Sequence, residues 1–137
     1  MSRVLVLDAE ALSSLARPRG SRFDEVRAAL EAARRLQREV VTPAVILAEL
    51  YRGQGHNQVI DSCLSRQSWI HVRDADRAFA RYVGGVLTAA GANSSYLADA
   101  HVVAAAVEAG GGVILTGDES DLDRMSAPYP NILVAAI

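Results

Sequence analysis

The sequence contains no lysine; all 14 of its basic residues are arginine. Chemistry that depends on a lysine is therefore excluded, including P-loop phosphate binding, Schiff-base formation and Ser-Lys nucleophiles. There is a single cysteine, Cys63, so neither an intramolecular disulfide nor a cysteine-based metal cluster can form within the chain. One lone cysteine fits a reducing compartment. No apolar run approaches the roughly 18–20 residues of a membrane helix. No secretory signal pattern is expected at the start, because Arg3 leads into a short run that ends at Asp8. The expected location is the cytoplasm, away from membranes. Internal repeats, low-complexity segments and linkers are also missing.

The chain has 137 residues, half of them hydrophobic. That length suits one domain, 1–137, burying roughly 68–70% of its unfolded surface. Charge is unevenly placed. Residues 1–81 carry 13 arginines and 10 acids, net +3, while residues 82–137 carry only Arg124 against 6 acids, net −5. A weakly acidic whole does not forbid a nucleic-acid partner, because a local arginine patch suffices.

Strand and helix signals alternate. Residues 3–7 (RVLVL) form the short apolar run of a central strand buried on both faces. Residues 9–16 read as a helix stopped near Pro18 and Gly20. Residues 23–38 form a longer one, with Val26, Leu30, Ala33 and Leu36 along one face. Residues 40–41 make a second strand. Thr42-Pro43 supplies a hydroxyl cap and a first-turn proline for a helix over 44–52. Residues 55–65 are ambiguous and compatible with another helix. Residues 69–72 (WIHV) are a third strand, and Asp74 can cap a helix over 75–90 that Gly91 ends. Ser94 or Ser95 can cap 96–109, and Gly110–Gly112 stop it. A fourth strand over 113–115, a short helix over 120–125 and a fifth strand over 132–134 complete the chain. Such alternation implies an α/β fold, a mostly parallel sheet of about five strands with helices on both faces.

Ligands in such folds gather beyond the carboxyl ends of the strands. Asp8 ends the first strand and Asp118 lies just past the fourth; taken singly, Asp8 reads equally well as a site acid or a helix cap, and Asp118 as a site acid or a turn residue. Asp99 and Glu49 lie on helices among apolar neighbours. Val102, Val103 and Ala106 follow Asp99 at helical spacing, and Val45 and Ile46 precede Glu49. A carboxylate aimed at a core is costly unless paired or bound to a metal. For Glu49 the structural alternative is a pair with Arg52, one turn beyond; Asp99 has no nearby arginine. Four convergent carboxylates without a cation would repel one another. With Mg²⁺ or Mn²⁺ the cluster is sensible, since hard cations take oxygen ligands and can bridge to phosphates. The natural reaction is phosphodiester hydrolysis by a metal-activated water. Intervals of 41, 50 and 19 residues between the four acids are compatible with convergence.

Four segments together resemble the PIN-domain ribonucleases, most closely the VapC-type toxins of bacterial toxin–antitoxin pairs. They are VLVLDAEAL at 4–12, PAVILAELYRG at 43–53, LADAHVVAAA at 97–106 and TGDESDL at 116–122. The resemblance spans nearly the whole chain and implies a PIN-like three-layer sandwich. It also implies that Asp8, Glu49, Asp99 and Asp118 are the catalytic acids. Asp8, Asp99 and Asp118 would hold Mg²⁺ or Mn²⁺ directly, and Glu49 would act through water. Asp121 would be a further metal-site acid and Thr116 the hydroxyl that orients a neighbouring carboxylate. The implied activity is an endoribonuclease. Its implied partners are a second copy and a small antitoxin whose C-terminal segment covers the active-site groove. A PIN nuclease of RNA processing without an antitoxin, or a non-catalytic RNA-binding module of the same fold, are the alternatives.

Glu10 departs from that pattern, standing where many members carry a small or hydroxyl residue. It reads either as an extra group of the site or as a first-turn acid favoured by the helix dipole. A phosphatase using Asp8 as nucleophile is disfavoured by the missing lysine and by Glu10 where an Asp-x-Asp pair would need Asp. His56, His71 and His101 lack ligand spacing, and Cys63 reads as a buried inert thiol. Arg17, Arg19, Arg22, Arg34, Arg35 and Arg38 read mainly as solvated charge, with some of them candidates for contacts to RNA phosphates. Arg52 is a supporting candidate, either holding Glu49 or gripping a phosphate.

Overall fold

The computed structural model describes residues 3–137; residues 1 and 2 of the expected domain lie outside them. Five strands form one sheet: β1 (Val4–Leu7), β2 (Val40–Pro43), β3 (Ile70–Arg73), β4 (Gly112–Thr116) and β5 (Ile132–Ala136). Every pairing is parallel and the order is β3-β2-β1-β4-β5. Between the strands run α1 (Ala9–Ala16), α2 (Ser21–Arg35), α3 (Ala44–Leu50), α4 (Gln54–Arg66), α5 (Arg77–Ala90), α6 (Leu97–Glu108) and α7 (Glu119–Ser126). The expected α/β architecture is the observed one.

The order of strands explains the layers. From β1 the chain steps outward through β2 to β3, then crosses back to β4 on the other side of β1. Right-handed crossovers put helices from opposite steps on opposite faces. Accordingly α1 packs with α2, α3 and α4, whereas α6 packs with α5 and α7 and lies across β1, β2 and β4. β1 is buried along its whole length, as its unbroken Val-Leu run requires. In α6 the stretch Ala100–Ala106 is buried all round, which suits a helix apolar on every side. Its alanines let it lie close to the sheet.

Gly112, read from sequence as part of a helix stop, opens β4. A Cβ there would meet the Val4 carbonyl oxygen at 2.3 Å, so only glycine lets β1 and β4 pair at that end. Gly112→Ala should destabilise the fold by roughly 1–3 kcal/mol, measurable as a lower urea midpoint at unchanged m-value.

Several boundaries move. The long helix expected over 23–38 starts at Ser21 and ends at Arg35, and residues 54–66 are helical. Thr42 does not cap α3; its hydroxyl donates to the Leu7 carbonyl at 3.1 Å, and Pro43 is the cap residue. Asp76, not Asp74, caps α5, accepting from the Phe79 N–H at 2.8 Å. Arg73 decides that choice, because it grips both Asp76 and Glu108. The start of the sixth helix is split. Ser94–Tyr96 form a 3-10 turn capped by Asn93, and α6 follows.

Candidate active site

The order in which strands are added reverses between β1 and β4, and both strands end at the same edge. In open parallel sheets this switch point leaves a crevice that the crossing helices do not fill. Asp8 directly follows β1, and its N–H donates to the Leu115 carbonyl at 3.3 Å, so the β1–β4 ladder fixes its place. Its Oδ1 also accepts from the Ala11 N–H at 2.9 Å. Asp118 follows β4, and its Oδ1 accepts from the N–H and hydroxyl of Ser120 at 3.3 and 3.0 Å. Each aspartate therefore is a helix cap. One oxygen of each does this work, leaving the other outside the cap. Capping and site roles are not exclusive here.

A cavity of about 200 Å³ opens at this point, lined by Asp8, Glu10, Glu49, Asp99, Asp118 and Asp121, with Ala9 and Ile46. All five acids expected at a metal site thus share one cavity, brought there from α1's start, α3, α6 and the β4–α7 segment. Asp8 and Asp99 are half-buried at its floor, whereas Glu49, Asp118 and Asp121 are exposed at its rim. The reading of Glu49 as aimed into the core is corrected: Ile46, one turn earlier, is the buried residue, and Glu49 faces solvent. Larger hollows of about 560 and 830 Å³ lie elsewhere, but neither gathers carboxylates.

Electrostatics mark the floor. The Asp99 carboxyl is pushed up to about 6, first by burial and then by the charges of Asp121, Glu49, Asp8 and Asp118. The Asp8 carboxyl is also raised, mainly by burial. The nearby Thr116 hydroxyl, which itself donates to the Asp118 carbonyl at 3.0 Å, and the Ala11 N–H pull it back, and the charge of Glu10 adds to the rise. Thr116 is fully buried and does not line the cavity. Its Oγ1 accepts from the Asp118 N–H at 3.0 Å, so it braces the β4–α7 loop beside both aspartates.

Arg52 does not hold the Glu49 carboxylate. Its Nε donates to the Glu49 backbone carbonyl at 3.1 Å, closing the end of α3 and leaving the carboxylate free for the cavity. Glu10, left open by the sequence, sits in the first turn of α1 and also lines the cavity. Its Oε2 is 3.2 Å from Arg22.

Among the described residues, no three His, Cys, Asp or Glu groups are arranged to hold a metal ion as they stand. The donor set nevertheless fits a hard divalent cation. The cavity's polar side chains are all carboxylates, without histidine, cysteine or arginine among the lining residues. Such oxygen-only sites select Mg²⁺ or Mn²⁺ over softer metals. The repulsion among these carboxylates, which adds to burial in raising Asp99, is what a cation would relieve.

No protein-family model and no curated protein matches this sequence. Comparison with solved structures is decisive for the fold. One chain of VapBC2 from Rickettsia felis, solved bound to a DNA fragment from its promoter, matches at TM-score 0.67 and 17% identity, over 98% of both chains. A chain of a toxin–antitoxin complex from Klebsiella pneumoniae matches at TM-score 0.68 and 18% identity, over 97% of this chain and 99% of that one. FitAcB from Neisseria gonorrhoeae matches at TM-score 0.59 and 17% identity, over 96% of each. This chain has the PIN-like fold. The likeness covers the PIN-like architecture from β1 to β5, and with it the β1–β4 crevice where the acids meet.

The remaining candidates fall outside the PIN-like cavity. His56 and His71 are exposed. His101 is buried, with Nδ1 2.7 Å from the Leu97 carbonyl and its ring edge-on to Phe79. Cys63 is buried, and that burial pushes its thiol up, away from reactivity. No helix among the described residues is long and apolar enough to cross a membrane. Sequence reasoning passed over Gly117. A Cβ there would lie 1.6 Å from Glu10 Oε2, so this glycine is what lets Glu10 enter the cavity. The Thr-Gly-Asp turn gave no sign of that, because the clash is with a residue more than a hundred positions away.

Proposed function

We propose that the protein is a Mg²⁺- or Mn²⁺-dependent endoribonuclease, the toxin of a toxin–antitoxin pair. The observation that carries this reading is the gathering of Asp8, Glu49, Asp99, Asp118 and Asp121 on one cavity at the switch point. The Asp99 carboxyl is raised to about 6 by burial and by the other four acids. A cluster so loaded with like charge is a poor structural device and a good cation site. The solved neighbours, VapBC2 and a Klebsiella toxin–antitoxin complex among them, support the toxin reading. The same reading includes a small antitoxin whose C-terminal segment covers the groove, a homodimer and a cytoplasmic location.

Asp8, Asp99 and Asp118 would hold the metal directly, with Glu49 acting through water and Asp121 supporting a second ion or orienting the first set. The bound metal supplies Lewis-acid stabilisation of the phosphate and an activated water. Glu49, free at the rim because Arg52 engages only its backbone, positions the attacking water. That water's oxygen bonds to phosphorus and the bond from phosphorus to the 3′-oxygen breaks, leaving a 5′-phosphate and a 3′-hydroxyl. Thr116 keeps Asp8 and Asp118 in register through its buried hydroxyl.

The test is cleavage of total cellular RNA with and without Mg²⁺ or Mn²⁺, beside Asp8→Asn. Discrete fragments that need both metal and Asp8 are expected. If Asp8→Asn cleaves as well as the parent, the reading fails.

A further inference from the structure

Glu10 and Arg22 join the cavity to the basic half of the chain. Glu10 stands on the first turn of α1 and lines the same cavity as the five acids. Its carboxylate occupies the space over Gly117 that any larger residue would take. It thus bridges from the segment it shares with Asp8 to the Gly117–Asp118 turn. From that seat Oε2 takes a hydrogen bond from Arg22 NH1 at 3.2 Å. Among the described residues, this is the one ion pair that involves a carboxylate lining the cavity.

Arg22 is oddly placed for a structural residue. It is the second residue of α2, whose cap is Gly20 without a side-chain hydrogen bond. A cation there faces the positive end of the helix dipole, where acids are favoured. The guanidinium has five N–H donors in a planar fork, and a single contact engages it here. Half of its side chain is open to solvent, so the remaining donors are free to take a further partner. A planar, delocalised cation beside a polycarboxylate cavity suits a phosphate oxygen, which arginine binds bidentately. Arg17 and Arg19 lie in the segment just before α2.

We propose that Arg22 is a substrate-binding residue of this site, gripping an RNA phosphate next to the scissile one, and that Glu10 is the positioning residue that holds it at the cavity mouth. Arg22 then offsets locally the repulsion between the acidic cavity and the RNA backbone. Glu10 works through Arg22 and Gly117 works through Glu10. This rests on the ribonuclease reading above and names how that site holds its substrate.

The test is equilibrium binding of a fluorescein-labelled, mixed-sequence single-stranded RNA at several salt concentrations, with no divalent metal added, so that no cleavage is expected. Arg22→Gln should weaken binding about tenfold at low salt and reduce the slope of log K against log salt by about 0.7, one phosphate's worth on a single strand. Arg81→Gln, which removes the same charge far from the cavity, should leave both unchanged. Glu10→Ala discriminates further. Removing an acid should by charge alone tighten binding to RNA; if Glu10 positions Arg22, binding weakens instead. Glu10→Gln, which keeps an acceptor oxygen for Arg22, should bind within about twofold of the parent, since a neutral acceptor retains the hydrogen bond. Gly117→Ala, which evicts the Glu10 carboxylate, should copy Glu10→Ala, and the double variant should be no weaker than either. If Arg22→Gln matches Arg81→Gln, or Glu10→Ala tightens binding, the proposal is overturned while metal-dependent cleavage by the parent still stands. If the parent neither binds nor cleaves RNA, the ribonuclease reading falls and takes this one with it.

Discussion

Asp99→Asn should abolish RNA cleavage while making the metal-free protein more stable. The two effects have one cause. Asp99 sits at the half-buried floor of the cavity, where burial first and then four acidic neighbours raise its pKa to about 6. Asparagine has the same shape without the charge, so the fold is not perturbed by volume. Loss of one carboxylate from a hard-cation site removes several kcal/mol of transition-state stabilisation, at least about a hundredfold in rate. The same change removes a carboxylate that the fold holds against repulsion and burial. A residue kept for packing would behave oppositely, its loss lowering stability. Cleavage assays and thermal melts on the same samples check both halves. Asp99→Asn that cleaves at the parent's rate, or melts below it, contradicts the assignment.

Metal and pH should each act on the stability of the parent through the same group. In the folded chain the Asp99 carboxyl keeps its proton to a pH of about 6, against 3.8 for the unperturbed group. Below the lower value it is neutral in both states and makes no difference. Between the two values the unfolded chain gives up the proton freely while the folded chain resists, so stability falls as pH rises. Above the folded value the whole penalty remains. Discounted for partial exposure, it amounts to about 1–2 kcal/mol. The stability difference between Asp99→Asn and the parent should therefore be near zero at about pH 3 and reach that size by about pH 7. Using the difference cancels the other titrating groups. Adding Mn²⁺ at a hundred times its dissociation constant should stabilise the parent at pH 7 by about 2.7 kcal/mol and the variant far less. Chelation should reverse the gain. A pH-independent difference, or equal stabilisation of both proteins by metal, would count against a cation site at Asp99.

The local chemistry of the chain was legible to differing degrees. β1 could be read directly, because an unbroken Val-Leu run suits only a strand buried on both faces. α1 was legible to the residue because Asp8 at its start can cap it and Pro18 lies just past its end. Caps with competitors were not. Asp74 and Asp76 have equal intrinsic capacity, and the long-range partner Glu108 of Arg73 tipped the balance. Thr42 offers a good capping hydroxyl, but the nearby Leu7 carbonyl takes it. Gly112 looked like a loop residue because its reason, contact with Val4, lies in the pairing of distant strands.

By itself the sequence determined the alternation of elements, hence a parallel sheet, and it singled out Asp8, Glu49, Asp99 and Asp118 as candidate site acids. Period and burial preference are local properties, and they survive without knowledge of the neighbours. Only the tertiary structure decided which acids meet. The reversal of strand order at β1 and β4 is a long-range event, and it alone brings residues 8, 49, 99, 118 and 121 to one cavity. It also decided the two ambiguous side chains. Arg52 turns to the backbone carbonyl three residues before it, while Glu10 enters the cavity over Gly117, in a space made by a segment far away along the chain.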